Sequence, residues 1–196
     1  MATNGRAEQR ERTRRTLVAR SRRLFAERGY ADVGLAEIVA AASVTKGALY
    51  HHFDGKADLF RAVLAEVQGE VAAAVAARAD AHGDPWEQLT AGCRAFLTAS
   101  TAPDVQRIML VDGPAVLGWG EWRALDEASS ARHLHEALTS LVAAGVLPEQ
   151  PVAPVARLLS GAMNEAALWL ADSASPGDLE DVWAALSRML ESLRAR

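Results

Sequence analysis

Apolar residues recur along this chain at the three- and four-residue spacing that marks one face of an α-helix. From about Glu8 to Arg28, an Arg-rich segment carries Leu17, Val18, Leu24 and Phe25 in that pattern with Ser21 among them, and Gly29 closes it as a residue free to take positive φ. Residues 1–7 have no apolar pattern and read as a flexible arm. Two short helices are predicted next, over 35–42 with Leu35, Ile38 and Val39 inward, and over 45–52 with Thr45 as N-cap. Asp54-Gly55 is a turn signal, and Lys56 opens a long helix to about Ala81 with Leu59, Phe60, Val63, Leu64, Val67 and Val71 on one face. After the break at His82-Gly83-Asp84-Pro85, helices are predicted over 86–100, 104–112, 119–144, 154–171 and 178–194. Gly113-Pro114, Gly145 with the prolines at 148, 151 and 154, and Ser175-Pro176-Gly177 mark the joints between them. The expectation is an all-α protein of about nine helices.

Composition supports that class. Half of the residues are hydrophobic, but only 6% are aromatic, and Ala and Leu, strong helix formers, dominate the apolar set. The single cysteine, Cys93, excludes an internal disulfide and reads as a small buried hydrophobe. The N-terminus is charged and lacks the apolar stretch of a secretory signal, and no apolar run is long enough to span a bilayer, so a cytoplasmic protein without membrane partners is expected. Charge adds something composition does not. Residues 1–56 hold 11 basic and 6 acidic side chains, whereas 57–196 hold 10 basic and 19 acidic ones. A basic head on an acidic body suggests that one end meets a polyanion.

The two short helices, two or three residues apart, have the spacing of a helix-turn-helix, whose second helix fits the major groove of DNA. At its start stand Thr45, Lys46, Gly47 and Ala48; the small pair lets backbone approach DNA, and Lys46 reaches a phosphate or a guanine edge. Tyr50, His51 and His52 offer hydrogen-bonding tips, and Lys56 adds a cation. The runs Leu24-Phe25-Ala26-Glu27-Arg28-Gly29-Tyr30, Leu35-Ala36-Glu37-Ile38, Val44-Thr45-Lys46-Gly47-Ala48-Leu49-Tyr50-His51-His52-Phe53 and Lys56-Ala57-Asp58-Leu59-Phe60 closely resemble the DNA-binding domain of TetR-family regulators, over about residues 10–62. The resemblance implies a dimeric regulator, most often a repressor, released from DNA by a small ligand. It also implies Thr45, Lys46, Gly47, Tyr50, His51 and Lys56 as DNA-facing positions. The organisation that follows is a three-helix helix-turn-helix domain over 1–55 and a larger helical ligand-binding and dimerisation domain over 56–196.

Two positions depart from the family pattern. Val33-Gly34 stands where a capping Ser or Thr is usual, a loss of about 1 kcal/mol against a good cap. Ser43 stands where Gly is favoured, and a left-handed Ser there would cost on the order of 1–2 kcal/mol. The first departure is the only support for an alternative, a dimeric helical ligand-binding or interaction protein with weakened DNA binding.

The last two helices are apolar beyond the needs of one small core. Leu158, Ala162, Ala166 and Trp169 on one, with Val182, Leu186 and Met189 on the other, suit either the intramolecular core or a four-helix homodimer interface. A two-fold dimer predicts a near-palindromic operator in double-stranded DNA. Phe96, Met109, Trp119, Trp122, Met163 and Asn164 are candidates for a mostly apolar effector pocket, or the tryptophans simply fill the core. The segment 112–119 beside them is a candidate joint for transmitting a ligand signal. His133 and His135 lie two apart and point to different helix faces, so a metalloenzyme built on them and His82 is disfavoured. No catalytic motif, cofactor or metal site is expected.

Overall fold

The computed structural model of the chain describes residues 2–173, 175 and 177–194. Among these residues the regular structure is entirely helical: α1 (Ala2–Arg28), α2 (Leu35–Ala41), α3 (Lys46–Tyr50), α4 (Lys56–Ala79), α5 (Pro85–Ser100), α6 (Pro103–Gln106), a π-helical segment (Arg107–Asp112), α7 (Gly113–Leu117), α8 (Trp119–Glu127), α9 (Ser130–Ala143), α10 (Val152–Asp172) and α11 (Asp178–Glu191). The order follows the sequence pattern, with three corrections. Helix α1 begins at Ala2, so the arm expected over 1–7 is helical from its second residue. The helix expected over 119–144 is two helices. Gly113-Pro114 is no break, since Gly113 is right-handed helical and the turn falls at Gly118, φ 77°. Of the expected turn at 175–177, Pro176 lies outside the described residues.

The chain turns between α8 and α9 at Ser129. Ser129 Oγ donates to the carbonyls of Leu125 and Asp126, both at 3.1 Å, and the Ser129 backbone leaves the helical region, φ −121° and ψ −113°. The same hydroxyl-to-carbonyl bond is made by Thr139 and Ser140 inside the unbroken α9, so it accompanies the corner rather than accounting for it.

Helix ends elsewhere obey simple capping chemistry. Gly29, φ 81°, donates its N–H to the Phe25 carbonyl and stops α1. Asp84 accepts from the N–H groups of Trp86 and Glu87, both at 3.0 Å, with Pro85 in the first turn of α5. Gly145, φ 71°, ends α9, with Val146 N–H bonded to Leu141 and Gly145 N–H to Val142.

The π-helical segment is built around one indole. Gly113 N–H reaches back five residues to the Ile108 carbonyl. The Met109 carbonyl, which an α-helix would give to Gly113, instead accepts from Trp122 Nε1 at 2.7 Å. A Cβ at position 113 would stand 2.8 Å from Trp122 Cδ1, so only glycine lets the ring lie there. Asp112, at the end of the segment, takes the backbone N–H of Tyr30 at 2.8 Å.

The core is continuous from head to body. Leu17, Phe25, Ile38 and Leu49 in the first three helices belong to the same buried cluster as Phe60, Leu97, Leu141 and Leu190. Phe60 on α4 packs edge-on against Phe25 and Tyr30, with centroids 5.4 and 5.1 Å apart. Helix α4 therefore completes the head before running into the body, where Gly92 of α5 lets the two helices come close: a Cβ there would meet Val75 at 3.4 Å. The proposed division at 55/56 cuts at the start of a helix that both parts share. Arg22 ties α1 to the body through Glu70 at 2.5 Å and Asp104 at 3.4 Å, and Arg61 pairs with Glu121.

Candidate nucleic-acid interface and effector cavity

Helix α3 owes its position to a buried anchor and a sharp turn. Leu49 is fully buried and fixes the helix on the head's core. The turn before it is a Schellman closure of α2: Val44 N–H bonds the Val39 carbonyl, and Ser43 N–H bonds Ala40. Ser43 sits at φ 54°, the only non-glycine with positive φ among the described residues, so the left-handed serine anticipated from the sequence is present and its strain is absorbed. Helix α2 lacks a side-chain cap at Gly34. Glu37 takes the Gly34 N–H at 3.4 Å and holds Arg28, which also donates to the Asp32 carbonyl at 2.5 Å.

With Leu49 inward, the rest of α3 faces out. Thr45, Lys46, Gly47, Tyr50 and His51 are exposed, and Ala48 is half-buried. Thr45 Oγ1 caps the helix by accepting from Ala48 N–H at 3.1 Å. The Lys46 ammonium stands 5.9 Å from the Tyr50 ring centroid, so the two share one side of the helix. Lys56 is less free than its sequence position suggests. Its Nζ lies 4.0 Å over the Tyr30 ring and 3.5 Å from the Ala31 carbonyl, and burial lowers its pKa although Asp112 and Asp32 oppose the shift.

The structure adds α1 to this surface. Arg14 stands over the Phe53 ring at 5.4 Å, and the positive charges of Arg10 and Arg14 act on His52. Burial is the main reason that the His52 pKa falls; the charges of His51, Arg10 and Arg14 push the same way, so His52 presents a neutral imidazole at pH 7. The Arg-rich pattern of α1 was visible in the sequence, but which arginines approach α3 was not, because that depends on the helix crossing.

The body contains a cavity of about 350 Å³ between α4, α5, α8, α9 and α10. Of the six candidates, Phe96 and Met163 line it. Trp119 is 67% exposed and stacks on Trp122, with centroids 5.0 Å apart. Met109 and Trp122 are buried in the structure of the π-helical segment, and Asn164 is buried just behind the wall. Sequence reasoning followed the aromatics and so missed polar wall residues, Asp126, Ser130 and Ser160 among them, which no bulk or motif marks; His133, weighed only as a metal ligand, lines the wall too. Cys93 also lines the cavity, and burial pushes its thiol pKa up to about 12.

The candidates on α10 and α11 separate by burial. Leu158 is 75% exposed, Trp169 53% and Met189 50%, while Ala162, Ala166 and Val182 are half-buried. Leu186 is 5% exposed and packs into its own subunit's core, so it does not offer a docking surface; that expectation is corrected. Among the described residues no group of three or more metal-ligating side chains occurs, and no helix is long and apolar enough to cross a membrane. His82 faces Glu87 at 3.5 Å and His133 faces Glu136 at 3.8 Å.

An exposed helix-turn-helix on a larger helical body defines a class of DNA-binding regulator, and comparison with known proteins gives the family. Residues 17–63 match the family described as bacterial regulatory proteins, tetR family, and residues 86–193 match the tetracyclin repressor-like C-terminal domain. The chain belongs to the TetR family of transcriptional regulators. It is 36% identical to a TetR-family transcriptional regulator from Pectobacterium atrosepticum whose crystal structure it matches with a TM-score of 0.79, over 96% of this chain and 97% of that one. The transposon Tn10 TetC protein of Escherichia coli is 31% identical over 109 residues, 56% of this chain and 55% of that protein. The regulator TtgR of Pseudomonas putida is 42% identical over 57 residues, 29% of this chain and 27% of that protein. The matched stretches thus span about half or less of these curated relatives. RolR, solved in complex with resorcinol, shares the fold at 22% identity and a TM-score of 0.72, over 93% of this chain and 89% of that one.

Proposed function

We propose that this chain is a repressor that grips a near-palindromic operator as a homodimer and lets go when a small molecule enters the body cavity. The observation that carries this reading is the reach of α4. It opens beside the DNA-facing end of the head at Lys56 and ends at Ala79, and its Val75, Ala76 and Ala79 line the cavity. A guest that presses on that wall acts on a helix whose other end is part of the head's own core.

On DNA, Thr45, Lys46, Gly47 and Ala48 lead α3 into the major groove, with Tyr50 and His51 toward the backbone. Arg10 and Arg14 supply flanking phosphate contacts, and Lys56 joins them once it leaves the Ala31 carbonyl. The dimer forms through Leu158, Trp169 and Met189, with Ala162, Ala166 and Val182 at the margin. RolR, a fold relative whose structure holds resorcinol, supports a small ring compound as the kind of effector to test. The alternative, a dimeric helical ligand-binding or interaction protein with weakened DNA binding, loses weight because Glu37 supplies part of the capping that Gly34 cannot.

The deciding experiment is selection of bound sequences from random duplexes with the purified protein, repeated with small ring compounds present. An inverted repeat recovered without ligand and depleted with it is the expected result. Recovery of no common sequence would overturn the reading.

A further inference from the structure

The cavity is not uniformly apolar: one wall carries a buried polar cluster that the DNA-binding head does not use. Asp126 on α8 is 4% exposed, and its Oδ2 accepts from Arg123 Nη1 at 3.1 Å and from Ser160 Oγ of α10 at 3.3 Å. Arg123 Nη1 also reaches Ser160 Oγ at 3.2 Å. Both bonds fall on Oδ2; Oδ1 accepts none among the described residues. One turn along α10 from Ser160, Asn164 is buried beside the Asp126 carboxyl and its amide favours the ionised carboxylate, although neither its Nδ2 nor its Oδ1 makes a hydrogen bond of ordinary length. Buried amides in proteins are paired as a rule, so two amide atoms without a close partner, beside a carboxylate that lines the cavity, leave this cluster room for a further partner. Both Asp126 and Ser160 face the cavity, and Val75, Leu89, Phe96 and Met163 make the wall around them apolar.

Charge selects the missing partner. Arg123 pairs with both Asp126 and Glu127, and Arg157 also pairs with Glu127, so the four charges cancel: a cation finds no net negative charge at this wall and an anion meets the carboxylate. Glu136 and Asp80 also border the cavity, but both are exposed, and Glu136 is taken up by Arg132 at 3.4 Å. An uncharged donor gains the idle oxygen without losing hydration of its own charge.

Resting on the effector reading above, we propose that the cavity takes a compact, uncharged ring compound whose hydroxyl donates to Oδ1 of Asp126, with Ser160 holding that carboxylate in place. The hydroxyl is the feature the site reads. A ring of equal bulk without it leaves the cluster unpaired, and sites built to hydrogen-bond a hydroxyl reject the analogue that lacks one.

The test is calorimetric titration of the full-length protein with four probes of matched bulk: 4-ethylphenol, ethylbenzene, phenethylamine and 4-ethylbenzoate. 4-Ethylphenol is expected to bind at least about 10-fold more tightly than each of the others. Asp126→Leu should remove that preference, but it leaves Arg123 with Glu127 as its only carboxylate partner among the described residues and can unfold the chain. The paired replacement R123M with D126L, an apolar substitute for a buried ion pair, is therefore measured beside it and should bind 4-ethylphenol and ethylbenzene equally. Equal binding of those two probes by the wild-type protein would overturn the hydroxyl anchor and leave the effector reading standing. Tighter binding of the amine or the carboxylate would overturn it too, as would a preference that survives in the paired variant. Binding of none of the four at millimolar concentration would sink both the anchor and the effector reading.

Discussion

Ser43 shows what a single residue costs and what it permits. Held at φ 54° by the closure of α2, it places α3 at its angle to the head. Ser43→Gly relieves about 1–2 kcal/mol of left-handed strain but gives the unfolded chain back about 0.4–1 kcal/mol of entropy. The net expectation is a gain of about 0.5–1 kcal/mol, read as a rise of a few degrees in the thermal midpoint. On the exposed face of α3, Lys46→Ala should weaken operator binding and lower the salt slope of log K by about 1, the signature of one lost phosphate contact. Tyr50→Phe should weaken binding without unfolding the head, because the ring projects into solvent. Gel-shift titrations at several salt concentrations check both. Cys93 is the opposite kind of residue. With its thiol pKa raised to about 12 by burial, it stays protonated at pH 8, and an alkylating reagent should label it only after urea unfolds the chain.

At the scale of elements, the fold was largely written in the three-and-four periodicity, because most helices here bury one stripe and several begin or end at Gly, Pro or Asp. The failures have causes that periodicity does not carry. The α8–α9 corner falls at Ser129, where the backbone leaves the helical region in a stretch whose composition is otherwise helical. Gly113-Pro114 looked like a break, yet the glycine is there to admit the Trp122 ring. Gly113→Ala should therefore destabilise by about 1–3 kcal/mol, as overpacking does, despite the better helix propensity of alanine; chemical denaturation measures it. The same logic explains the cavity. Large aromatics drew attention in the sequence, but Trp122 is spent on the π-helical segment and Trp119 on the surface, while the polar groups that face the cavity are ordinary residues gathered from α8, α9 and α10. The exposed face of α3 was legible because its residues are contiguous; the cavity wall was not, because it is assembled across the fold.

For the whole molecule, the separation between Leu186 and Leu158 gives a clean pair of outcomes. Leu158→Asp adds a charge to a side chain that is three-quarters exposed in the subunit, so it should yield a folded monomer by sedimentation with an unchanged helical circular dichroism spectrum. Leu186→Asp buries a carboxylate in the core and should cost several kcal/mol, lowering the yield of folded protein rather than its oligomeric state. A Leu158→Asp protein that still sediments as a dimer would move the interface elsewhere.

The 24 residues of α4 form one uninterrupted rod, about 36 Å long at 1.5 Å per residue. A tilt of about 5° pivoting at the cavity end would swing the far tip by about 3 Å on that length. Two such arms in a symmetric pair would change the span between reading helices by up to twice that figure. Grooves on one face of a duplex repeat at a fixed interval of about 34 Å, so a misfit of that size leaves neither arm seated when the other is. On the proposed effector control, a guest too small to be noticed at the surface would thereby be converted, by leverage alone, into a mismatch with the pitch of the double helix.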